Sequence, residues 1–550
     1  MIADCKDSIL QTYTRAIVHM RQQLQAGRFG LVLGSGVSRM FQIPTWPELL
    51  DRIAKHKDVG ASAVMPSTAS QTSRSQLLFQ HYRSQQAAKT SAEEHSRNRF
   101  DMRIRSSWRR IIHDCLYQDL PEGIDELITR DKYLDTFLPI IRRAKVTVNY
   151  NFDDCVERML ANARTVEERK TERGYETLWN PALQAQTRNA VVYHPNGFLP
   201  RNLLERPSDD LVFLEDTFAD QLIDSMAGHY SALLTHLYQN TCLFIGLSLK
   251  DSTLRHLLRQ NARMNPGHVH YYIAFVPDGK TISEEQQKAV ADSNFSVYNL
   301  VTIFARTEGI KSIGMLLSRE QDSFHELAQE LGVKCAHVFY LTGPVGAGKS
   351  TVVSNFKSLT THDEWLEERP PEMAKHPDSA DPDTIAQIDE WVCTQFGLKN
   401  TQLLRYREGI HIIDRTPLDP LAFTKPEEWT AKAKLLRNKI SPGRADRQIR
   451  NGKVIFLKAD KDVLSVRAIA RHKEGKPERL QEQSDRLDVV YPHDEAGVRV
   501  IDTREMGIVA VVRRVAEIVH REPYSECNME QRLCDVADGR VAPKEVKDEK

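Results

Sequence analysis

The sequence lacks the features that mark zinc-binding, membrane-spanning or strongly charged proteins. Its 8 cysteines, at positions 5, 115, 155, 242, 335, 393, 527 and 534, form no CxxC pair, so no structural zinc site is expected. No stretch approaches the roughly eighteen uninterrupted apolar residues of a membrane-spanning helix. Lys and Arg together number 75, as do Asp and Glu, so no net field draws the chain to nucleic acid or to an anionic membrane.

The N-terminus, MIADCKDSILQTYTRAIVHM, also lacks the basic start and apolar run of a signal peptide. We therefore expect a soluble, cytoplasmic protein with reduced thiols and no membrane partner. One basic segment, DMRIRSSWRRIIHD at 101–114, is interpreted as a solvated helix face. A contact of this segment with nucleic acid or with a protein partner is the less favoured alternative.

Short apolar runs alternate with helical patterns, which predicts an α/β fold with mostly parallel sheets. The first predicted strands are FGLVLG at 29–34, KVTVNY at 145–150, NAVVYH at 189–194, TCLFIGL at 241–247, HVHYYIAFV at 268–276 and LVTIFA at 300–305. After a helical segment at 319–332 the alternation restarts, with AHVFYLTG, GIHIID at 409–414, KVIFLKAD at 453–460 and VRVID at 498–502. We predict two doubly wound, Rossmann-like domains, at 1–318 and 319–525, and a polar C-terminal tail at 526–550.

Two segments of the first domain are assigned from their patterns. Residues 1–27 carry apolar side chains at helical spacing and are predicted to form one helix. Residues 58–76, rich in Ser, Thr and Ala, are predicted to form a loop.

The segment GPVGAGKS at 343–350 fits the phosphate-binding pattern GxxxxGK[ST] at every required position. It follows a predicted strand and precedes the helical STVVSNFKSL, where backbone N–H groups and the helix dipole favour phosphate. The pattern predicts that Lys349 reaches the β- and γ-phosphates of ATP and that the Ser350 hydroxyl is a ligand of Mg²⁺. The residues assigned to the nucleotide are Gly343, Gly346, Gly348, Lys349, Ser350 and Thr351.

Two further elements accompany this loop. Asp414 ends the predicted strand of GIHIIDRTPLDPLAF, where a carboxylate lies close to Mg²⁺; a purely structural Asp is the alternative. Arg467 and Arg471, in VRAIARHKEGKPERL at 466–480, are four residues apart on one predicted helix face. Paired arginines can clamp a phosphoryl group, and a solvated basic helix is the alternative.

Together, the loop and these elements resemble the P-loop kinases of nucleosides and nucleotide monophosphates, over about residues 335–520. The resemblance assigns Asp414 and Arg415 to magnesium and substrate phosphate, and Arg467 and Arg471 to a lid. The phosphate acceptor is not predicted. The Pro-rich ERPPEMAKHPDSADPD at 368–383 falls where an acceptor-binding insertion would lie.

Four segments of the first domain form a second pattern. In chain order they are GLVLGSGVSRMFQIPTWPELL at 30–50, VTVNYNFDDCVE at 146–157, VVYHPNGFLP at 191–200 and LFIGLSLKDSTLRHLL at 243–258. Their order and content resemble the sirtuin family, in particular its bacterial sirtuin-like branch. One place departs from the family pattern: Asn196 stands before the glycine where the family usually has histidine, and His194 lies two residues earlier. Either His194 is the working histidine or the active site is altered, and a structural histidine at the strand end is the alternative.

The resemblance implies a site that binds NAD⁺. In it Asn151 would hold the ribose hydroxyls, a neutral His194 would take a proton, and Asp153 would hold the nicotinamide carboxamide. The NAD-binding residues are expected to be Gly34, Ser35, Gly36, Ser38, Gly246, Ser248 and Asp251. Capping of the following helix is an equal alternative for Asp251.

The bacterial sirtuin-like branch lacks the zinc module of the deacylases and commonly hydrolyses NAD⁺ in defence against bacteriophage. We therefore expect an NAD⁺ hydrolase without zinc, with the ATP-binding domain as its sensor or regulator. A homo-oligomer and a phage-derived activator or partner protein are expected on the same grounds. One alternative is a nucleotide kinase whose sirtuin-like part only binds a nucleotide. Another is a non-enzymatic nucleotide-binding module of a larger assembly.

Overall fold

The structure is a computed structural model, which describes residues 5–61, 69–89, 97–162, 174–180, 190–205, 207–209, 211–374, 381–440, 448–471 and 476–542. The chain divides into two compact units. The first comprises Met1–Tyr13, Gln23–Met264 and His270–Phe324, and the second comprises Thr14–Gln22, Asn265–Val269 and His325–Lys550. Two short segments that precede residue 318 therefore belong to the second unit. The domain limits at 318 and 525 stay predictions.

The first unit is built on a seven-stranded sheet in which every pairing between strands is parallel. In chain order its strands are β1 (Phe29–Leu33), β2 (Val146–Asn149), β3 (Tyr175–Leu178), β4 (Ala190–Tyr193), β5 (Thr241–Ile245), β6 (His270–Phe275) and β7 (Leu300–Ala305). Their order in the sheet is β3-β4-β2-β1-β5-β6-β7. β1 thus lies between β2 and β5, the point at which the direction of the winding reverses.

Helices of this unit precede, follow and connect these strands. They are Lys6–Thr12, Ser35–Ser38, Trp46–Lys55, Gln71–Lys89, Arg97–Tyr117, Ile124–Arg130, Leu134–Arg143, Cys155–Asn162, Glu215–Met226, Ser231–Gln239, Ser252–Met264, Glu284–Tyr298 and Thr307–Ser318, with a 3-10 turn at Arg39–Phe41. The strands β1, β2, β4 and β5 are buried along their whole length. Burial on both faces of a parallel sheet explains why these strands are near-continuous apolar runs.

The second unit contains a five-stranded sheet, again with only parallel pairings between its strands. Its strands are β8 (Ala336–Thr342), β9 (Thr360–His362), β10 (Gly409–Asp414), β11 (Lys453–Lys458) and β12 (Val498–Asp502), in the order β12-β11-β8-β10-β9. Its helices are Lys349–Val353, Pro382–Arg405, Trp429–Ile440, Lys461–Ile469, Pro477–Val490, Ile508–His520 and Met529–Ala537, with 3-10 turns at Pro371–Ala374, Asp419–Phe423 and Pro426–Glu428. The helix Gln321–Glu330 spans the change from the first unit to the second.

The predicted α/β class with parallel sheets is confirmed, and each predicted strand coincides with an observed one. The strands β3 and β9 were not predicted, because YETL and TTH are short and largely polar. The helix predicted over 1–27 is two helices, Lys6–Thr12 and Thr14–Gln25. The loop predicted at 58–76 ends early, since the helix Gln71–Lys89 begins within it; residues 62–68 lie outside the described part.

The C-terminal segment is not the polar tail that its composition indicates. Its helix Met529–Ala537 buries Met529, Leu533 and Val536 in the core of the second unit. Asn528 caps this helix by accepting a hydrogen bond from the backbone N–H of Gln531 at 3.0 Å. Apolar residues at helical spacing therefore give this segment a buried helix face, although its average composition is polar. Residues 543–550 lie outside the described part.

The helix Thr14–Gln25 supplies the second unit with side chains from the start of the chain. Arg15 Nη1 donates to the backbone carbonyls of Ile518 and Val519, at 3.2 and 2.5 Å, and Nη2 donates to the carbonyl of Glu522. The last carbonyls of a helix have no partner within it, so Arg15 satisfies the end of Ile508–His520.

Replacing Arg15 by Met should loosen this helix end. We expect Arg15→Met to reduce local protection in peptides covering 508–522 by about 1–3 kcal/mol, because charge-assisted bonds to otherwise unpaired carbonyls are lost. Hydrogen exchange read by mass spectrometry measures this. Lys461→Met, at an exposed position of the same unit, is the matched control. Equal exchange of the 508–522 peptides in both variants would contradict the capping role.

Candidate functional site

Most of the residues predicted to bind NAD⁺ follow strands of the first sheet. Gly34 follows β1, Asn151 and Asp153 follow β2, His194 follows β4 and Gly246 follows β5. The carboxyl ends of parallel strands lie at one edge of a sheet, and ligands of doubly wound sheets bind where the winding reverses. Here that place is the junction of β1 with its neighbours β2 and β5.

The turns after β1 and β5 pack directly on each other. The N–H of Gly34 donates to Ile245 O, and the N–H of Gly36 donates to Gly246 O, each at 2.9 Å. Gly246 has φ +71°, and a Cβ on it would lie 2.7 Å from the backbone nitrogen of Val37. These glycines are therefore required for the packing of the two turns, whatever ligand they meet. Ser35 and Gly36 are exposed beside the buried Gly34, so a phosphate group can approach the backbone at Ser35, whereas the N–H of Gly36 is bonded to Gly246 O.

The IPTW segment begins a helix. The N–H and the hydroxyl of Thr45 both donate to the Glu48 carboxylate, each at 2.7 Å, and Pro47 lies in the first turn of Trp46–Lys55. This arrangement is a capping box, which fixes the start of the helix. The Trp46 ring stacks on Phe213, with centroids 5.4 Å apart. The segment that carried part of the family resemblance is thus a structural one.

Asn151 is the best-defined polar group of this site. Its side-chain Nδ2 donates to Gly34 O at 3.0 Å and to Ser38 Oγ at 2.9 Å, and its backbone N–H donates to Asn149 Oδ1 at 3.2 Å. The carbonyl of Gly34 can only accept, which fixes the orientation of the amide. Both Nδ2 hydrogens are used, whereas Oδ1 accepts no hydrogen bond from the described part of the chain. Asn151 can therefore offer a carbonyl oxygen to a hydroxyl donor.

Asp153 extends this network. Its Oδ1 accepts hydrogen bonds from Ser38 Oγ at 3.0 Å and from the N–H of Cys155 at 3.2 Å. Burial raises the pKa of Asp153 above its ordinary value, although these hydrogen bonds oppose the effect. Ser38 thus connects the two residues that follow β2, by accepting from Asn151 and donating to Asp153.

His194 is enclosed by protein partners on both ring nitrogens. It is fully buried, and its Nδ1 lies 2.7 Å from Asn151 O while its Nε2 lies 2.7 Å from Glu157 Oε1. A carbonyl only accepts, so Nδ1 carries a hydrogen. Burial would lower the pKa of His194, but Glu157 and the hydrogen bond to Asn151 raise it above its ordinary value. The structure shows His194 as a buried partner of Glu157 and of the Asn151 carbonyl, and its expected role in taking a proton stays a prediction.

The remaining predicted positions are less closely connected. Asn196 is buried; its Oδ1 accepts from Gln221 Nε2 at 3.1 Å, and its Nδ2 donates to Tyr150 O at 3.4 Å. Asp251 Oδ1 accepts from the N–H of Leu254 at 2.7 Å, which is the capping alternative. Ser248 is exposed. Capping leaves the second carboxylate oxygen of Asp251 for other contacts, and its role toward NAD⁺ stays a prediction.

NAD⁺ fits the chemistry of this site. A ribose needs acceptors for its hydroxyl hydrogens. Asn151 Oδ1 is a fixed acceptor, because Nδ2 and the backbone N–H of the same residue are hydrogen-bonded to the protein. A pyrophosphate needs an exposed backbone N–H and small residues; Ser35 offers the N–H, and the exposed Gly36 has no side chain to obstruct a ligand. Among the described residues, no group of three or more His, Cys, Asp or Glu is arranged to hold a metal ion.

The phosphate-binding loop of the second unit lies between β8 and the helix Lys349–Val353. Gly346 and Gly348 have φ of +86° and +95°, which other residues rarely adopt. A Cβ on Gly346 would lie 2.5 Å from Leu464 O. Lys349 Nζ donates to the carbonyls of Gly343 and Pro344, at 2.6 and 3.0 Å. Burial, and then Arg415, lower the pKa of Lys349 to about 8.

Ser350 and Asp414, both predicted to lie near Mg²⁺, are hydrogen-bonded to each other. Ser350 Oγ donates to Asp414 Oδ2 at 2.8 Å, and the other carboxylate oxygen, Oδ1, is buried without a hydrogen-bond partner among the described residues. A hydroxyl oxygen beside an unsatisfied carboxylate oxygen fits the oxygen ligands that Mg²⁺ takes next to a nucleotide. These two residues would hold the ion, which would neutralise charge on the phosphates.

Charged residues that no sequence motif indicated lie around Arg415 and Asp414. Arg415 has φ +70° and is buried, with Nε 2.5 Å from Glu364 Oε1 and Nη1 3.5 Å from Asp419 Oδ2. Burial would raise the pKa of Glu364, but Arg415 holds it below its ordinary value. Lys399 Nζ donates to Asp414 O at 2.9 Å from the helix Pro382–Arg405. Glu364 and Lys399 lie far from the motif in sequence, so no local pattern could have found them.

The two predicted lid arginines differ in their contacts. Arg467 lies in Lys461–Ile469 and donates to Thr503 Oγ1 and O, at 2.9 and 2.8 Å. Arg471 lies beyond the end of that helix and donates to Thr351 Oγ1 in the phosphate-loop helix. The prediction of one continuous helix face is therefore wrong, and residues 472–475 lie outside the described part. Arg471 also borders the pocket that contains Lys349 and Ser350.

A larger cavity adjoins the phosphate loop. Its volume is about 440 Å³, and it is lined by Gly346, Ala347, Gly348, Thr351, Val352, Arg467, Ala470, Arg471, Thr503, Met506, Ile508 and Val511. The lining combines apolar side chains with two guanidinium groups and lies at the carboxyl end of the sheet. Such a cavity has room for a nucleoside beside the phosphates.

Comparisons with known proteins bear on the first unit. The family model described as SIR2-like domain matches residues 145–298, so this region is sirtuin-like. The match indicates a NAD-related function at the level of the family. It includes Asn151, Asp153, Glu157 and His194. No curated protein matched the chain.

Solved structures resemble only part of the chain. Two structures of deoxyadenosine kinase from M. mycoides match, one with the products dCMP and a flexible dCDP, the other with dATP. The first is 18% identical and covers 32% of this chain and 96% of its own, with a TM-score of 0.27. The second is 16% identical and covers 33% and 98%, also with a TM-score of 0.27. Likenesses at this level support no inference about activity. In the described part of the chain, no helix has the length and apolar character needed to cross a bilayer.

The unsatisfied Oδ1 of Asp414 generates a prediction about magnesium. Asp414→Asn keeps the shape of the side chain but removes its charge. We expect nucleotide affinity to rise with Mg²⁺ in the wild type and this enhancement to fall about tenfold or more in the variant. Calorimetry with a non-hydrolysable ATP analogue, with Mg²⁺ and with EDTA, measures it; Asp462→Asn, at an exposed position, is the control. An unchanged Mg²⁺ enhancement would remove Asp414 from the metal site.

Proposed function

We propose that the first unit hydrolyses NAD⁺ to nicotinamide and ADP-ribose. The observation that carries the proposal is Asn151, whose amide is held by Gly34 O and Ser38 Oγ and whose Oδ1 remains for a ribose hydroxyl. The sirtuin-like match over 145–298 supports NAD⁺ as the ligand.

The reaction breaks the bond between C1′ of the ribose and the nicotinamide nitrogen, and that nitrogen keeps the bonding electrons. Positive charge develops on the ribose, and water then adds its oxygen to C1′ and loses one proton to solvent. Asp153 is a buried carboxyl group that follows β2 and is linked to Asn151 through Ser38, and its carboxylate form would favour the positive charge. The reaction written in this way needs no histidine base.

We further propose that the second unit binds ATP with Mg²⁺ and regulates this activity. An NAD⁺ hydrolase depletes the cofactor of its own cell, so an effector of antiphage defence requires a control element. The nucleotide-binding features of the second unit, on the same chain, support that role. Assembly into a homo-oligomer, or binding of a phage-derived activator, would supply the active and inactive states that such control needs.

A nucleotide kinase is the second candidate function. The observation that favours it is the group formed by Lys349, Ser350, Asp414, Arg415 and Glu364 around the phosphate loop. Glu364 is held ionised by Arg415, so its carboxylate could accept a proton from an acceptor hydroxyl. The cavity of about 440 Å³ would hold the nucleoside of the phosphate donor.

Replacing Asn151 tests the hydrolase proposal. Asn151→Ala removes the fixed acceptor and should lower nicotinamide release at least about a hundredfold, because a buried polar contact to the ribose is lost. Release is measured by chromatography after incubation with NAD⁺. Asn162→Ala, at an exposed position of the following helix, is the control. Wild-type rates in the Asn151 variant would exclude this assignment of the site.

Replacing Lys349 distinguishes the two candidate roles of the second unit, regulation of NAD⁺ cleavage and independent phosphoryl transfer. Lys349→Ala should weaken ATP binding, because a phosphate-binding cation is removed. If the unit regulates NAD⁺ cleavage, the rate of nicotinamide release must also change, whereas an independent kinase would lose only phosphoryl transfer. Both rates are measured with and without ATP, with Lys425→Ala at an exposed position as control. NAD⁺ cleavage that matches the wild type in every condition would contradict regulation.

A further inference from the structure

Two buried side chains of the first unit have no part in the reaction proposed above. His194 lies after β4 and Glu157 lies in the helix Cys155–Asn162, and their side chains are 0% and 6% exposed. They meet at 2.7 Å, between His194 Nε2 and Glu157 Oε1. On its other side, His194 Nδ1 lies 2.7 Å from the backbone carbonyl of Asn151. The result is a continuous buried chain from Glu157 through His194 to Asn151.

The proton positions in this chain are constrained. The Asn151 carbonyl accepts only, so Nδ1–H is the donor there. Between Nε2 and Glu157 Oε1 the proton lies on one atom or the other, which gives an imidazolium–carboxylate pair or a neutral pair. In both arrangements each ring nitrogen is used, and neither lone pair is available to a substrate.

The carbonyl that His194 satisfies belongs to the residue that presents the ribose acceptor. Without His194 this carbonyl would lie in the interior without its partner, which costs about 1–3 kcal/mol and favours a different backbone conformation. The side chain of Asn151 is attached to the same backbone, and its bonds to Gly34 and Ser38 require that backbone to stay in place.

We propose that Glu157 and His194 form a positioning pair that holds the Asn151 loop in the geometry that binds NAD⁺, rather than a catalytic acid–base pair. The proposal rests on the proposed NAD⁺ site. His194 fixes the Asn151 carbonyl, and Glu157 fixes the imidazole ring of His194.

The two interpretations differ in what Glu157→Gln does. A glutamine amide can donate to Nε2 of a neutral His194, so both contacts of the ring survive without any charge on the pair. A positioning pair should therefore tolerate Glu157→Gln, with kcat and KM for NAD⁺ within about threefold of wild type. A catalytic pair needs the carboxylate to raise the basicity of the ring, so Glu157→Gln should then lower kcat about a hundredfold with little change in KM.

Glu157→Leu and His194→Leu complete the comparison. Both remove the support of the Asn151 carbonyl and should weaken NAD⁺ binding at least about tenfold. The decisive result is the rescue, in which Glu157→Gln restores what Glu157→Leu loses. A loss of kcat in Glu157→Gln as large as in Glu157→Leu, with NAD⁺ affinity unchanged, would overturn the proposal.

Binding and spectroscopy keep this test independent of turnover. NAD⁺ affinity is measured by calorimetry on the full chain, and the ring nitrogens are observed by NMR after ¹⁵N-histidine labelling, with His194→Leu used to assign the signal. Glu157→Gln should keep wild-type affinity and a hydrogen on Nδ1 of His194. If the wild type binds NAD⁺ but releases no nicotinamide, the hydrolase proposal fails while these measurements still decide the role of the pair. A His194 ring without hydrogen on Nδ1 would overturn the positioning role.

Discussion

The hydrogen bond between the His194 ring and the carbonyl of Asn151 is the contact on which the first site depends. It connects the ends of β2 and β4, two neighbouring strands of the parallel sheet. Strand ends in such a sheet expose backbone groups that the ladder no longer pairs, and a buried carbonyl there needs a donor. A fully buried imidazole meets that need only if its other nitrogen is also paired, which is the role of Glu157. The backbone that carries the Asn151 acceptor is therefore held by two other buried residues, His194 and Glu157.

The second unit also places its polar residues at strand ends, but their chemistry differs from that of the first unit. Its loop after β8 uses glycines at positive φ, and the strand β10 ends in Asp414, beside the Ser350 hydroxyl. In both units the polar residues gather where parallel strands end, and the apolar runs before them supply the core. The units differ in charge: the first collects buried carboxyl groups, which suit a developing cation, whereas the second adds lysine and arginine, which suit phosphate.

Much of this architecture could be read from the sequence, because parallel strands are buried on both faces and appear as uninterrupted apolar runs. The phosphate loop and the pairing of Ser350 with Asp414 also follow from local patterns. A structural His194 was one of the alternatives, but its partners could not be predicted, since Asn151 and Glu157 come from elsewhere in the fold. For the same reason Glu364 and Lys399 were missed. Arg471 was placed on a helix that ends before it, and helix ends are weakly specified by spacing alone.

The departure from the family pattern at Asn196 acquires a physical meaning in the structure. Asn196 is bound by Gln221 and Tyr150, and His194 is bound by Asn151 and Glu157. Neither residue offers a group ready to take a proton from water. In the proposed hydrolase, rate enhancement would therefore come from ribose binding and from stabilisation of positive charge rather than from a histidine base.

Incubation of the purified protein with NAD⁺ in H₂¹⁸O is the most direct test of the proposed hydrolysis. Mass spectrometry of the products, taken at early times and with and without ATP and Mg²⁺, identifies the bond that breaks and the source of the new oxygen. We expect unlabelled nicotinamide together with ADP-ribose that carries one ¹⁸O atom. Intact NAD⁺ in every condition, although calorimetry shows that it binds, would contradict hydrolysis and leave a site that only recognises the dinucleotide.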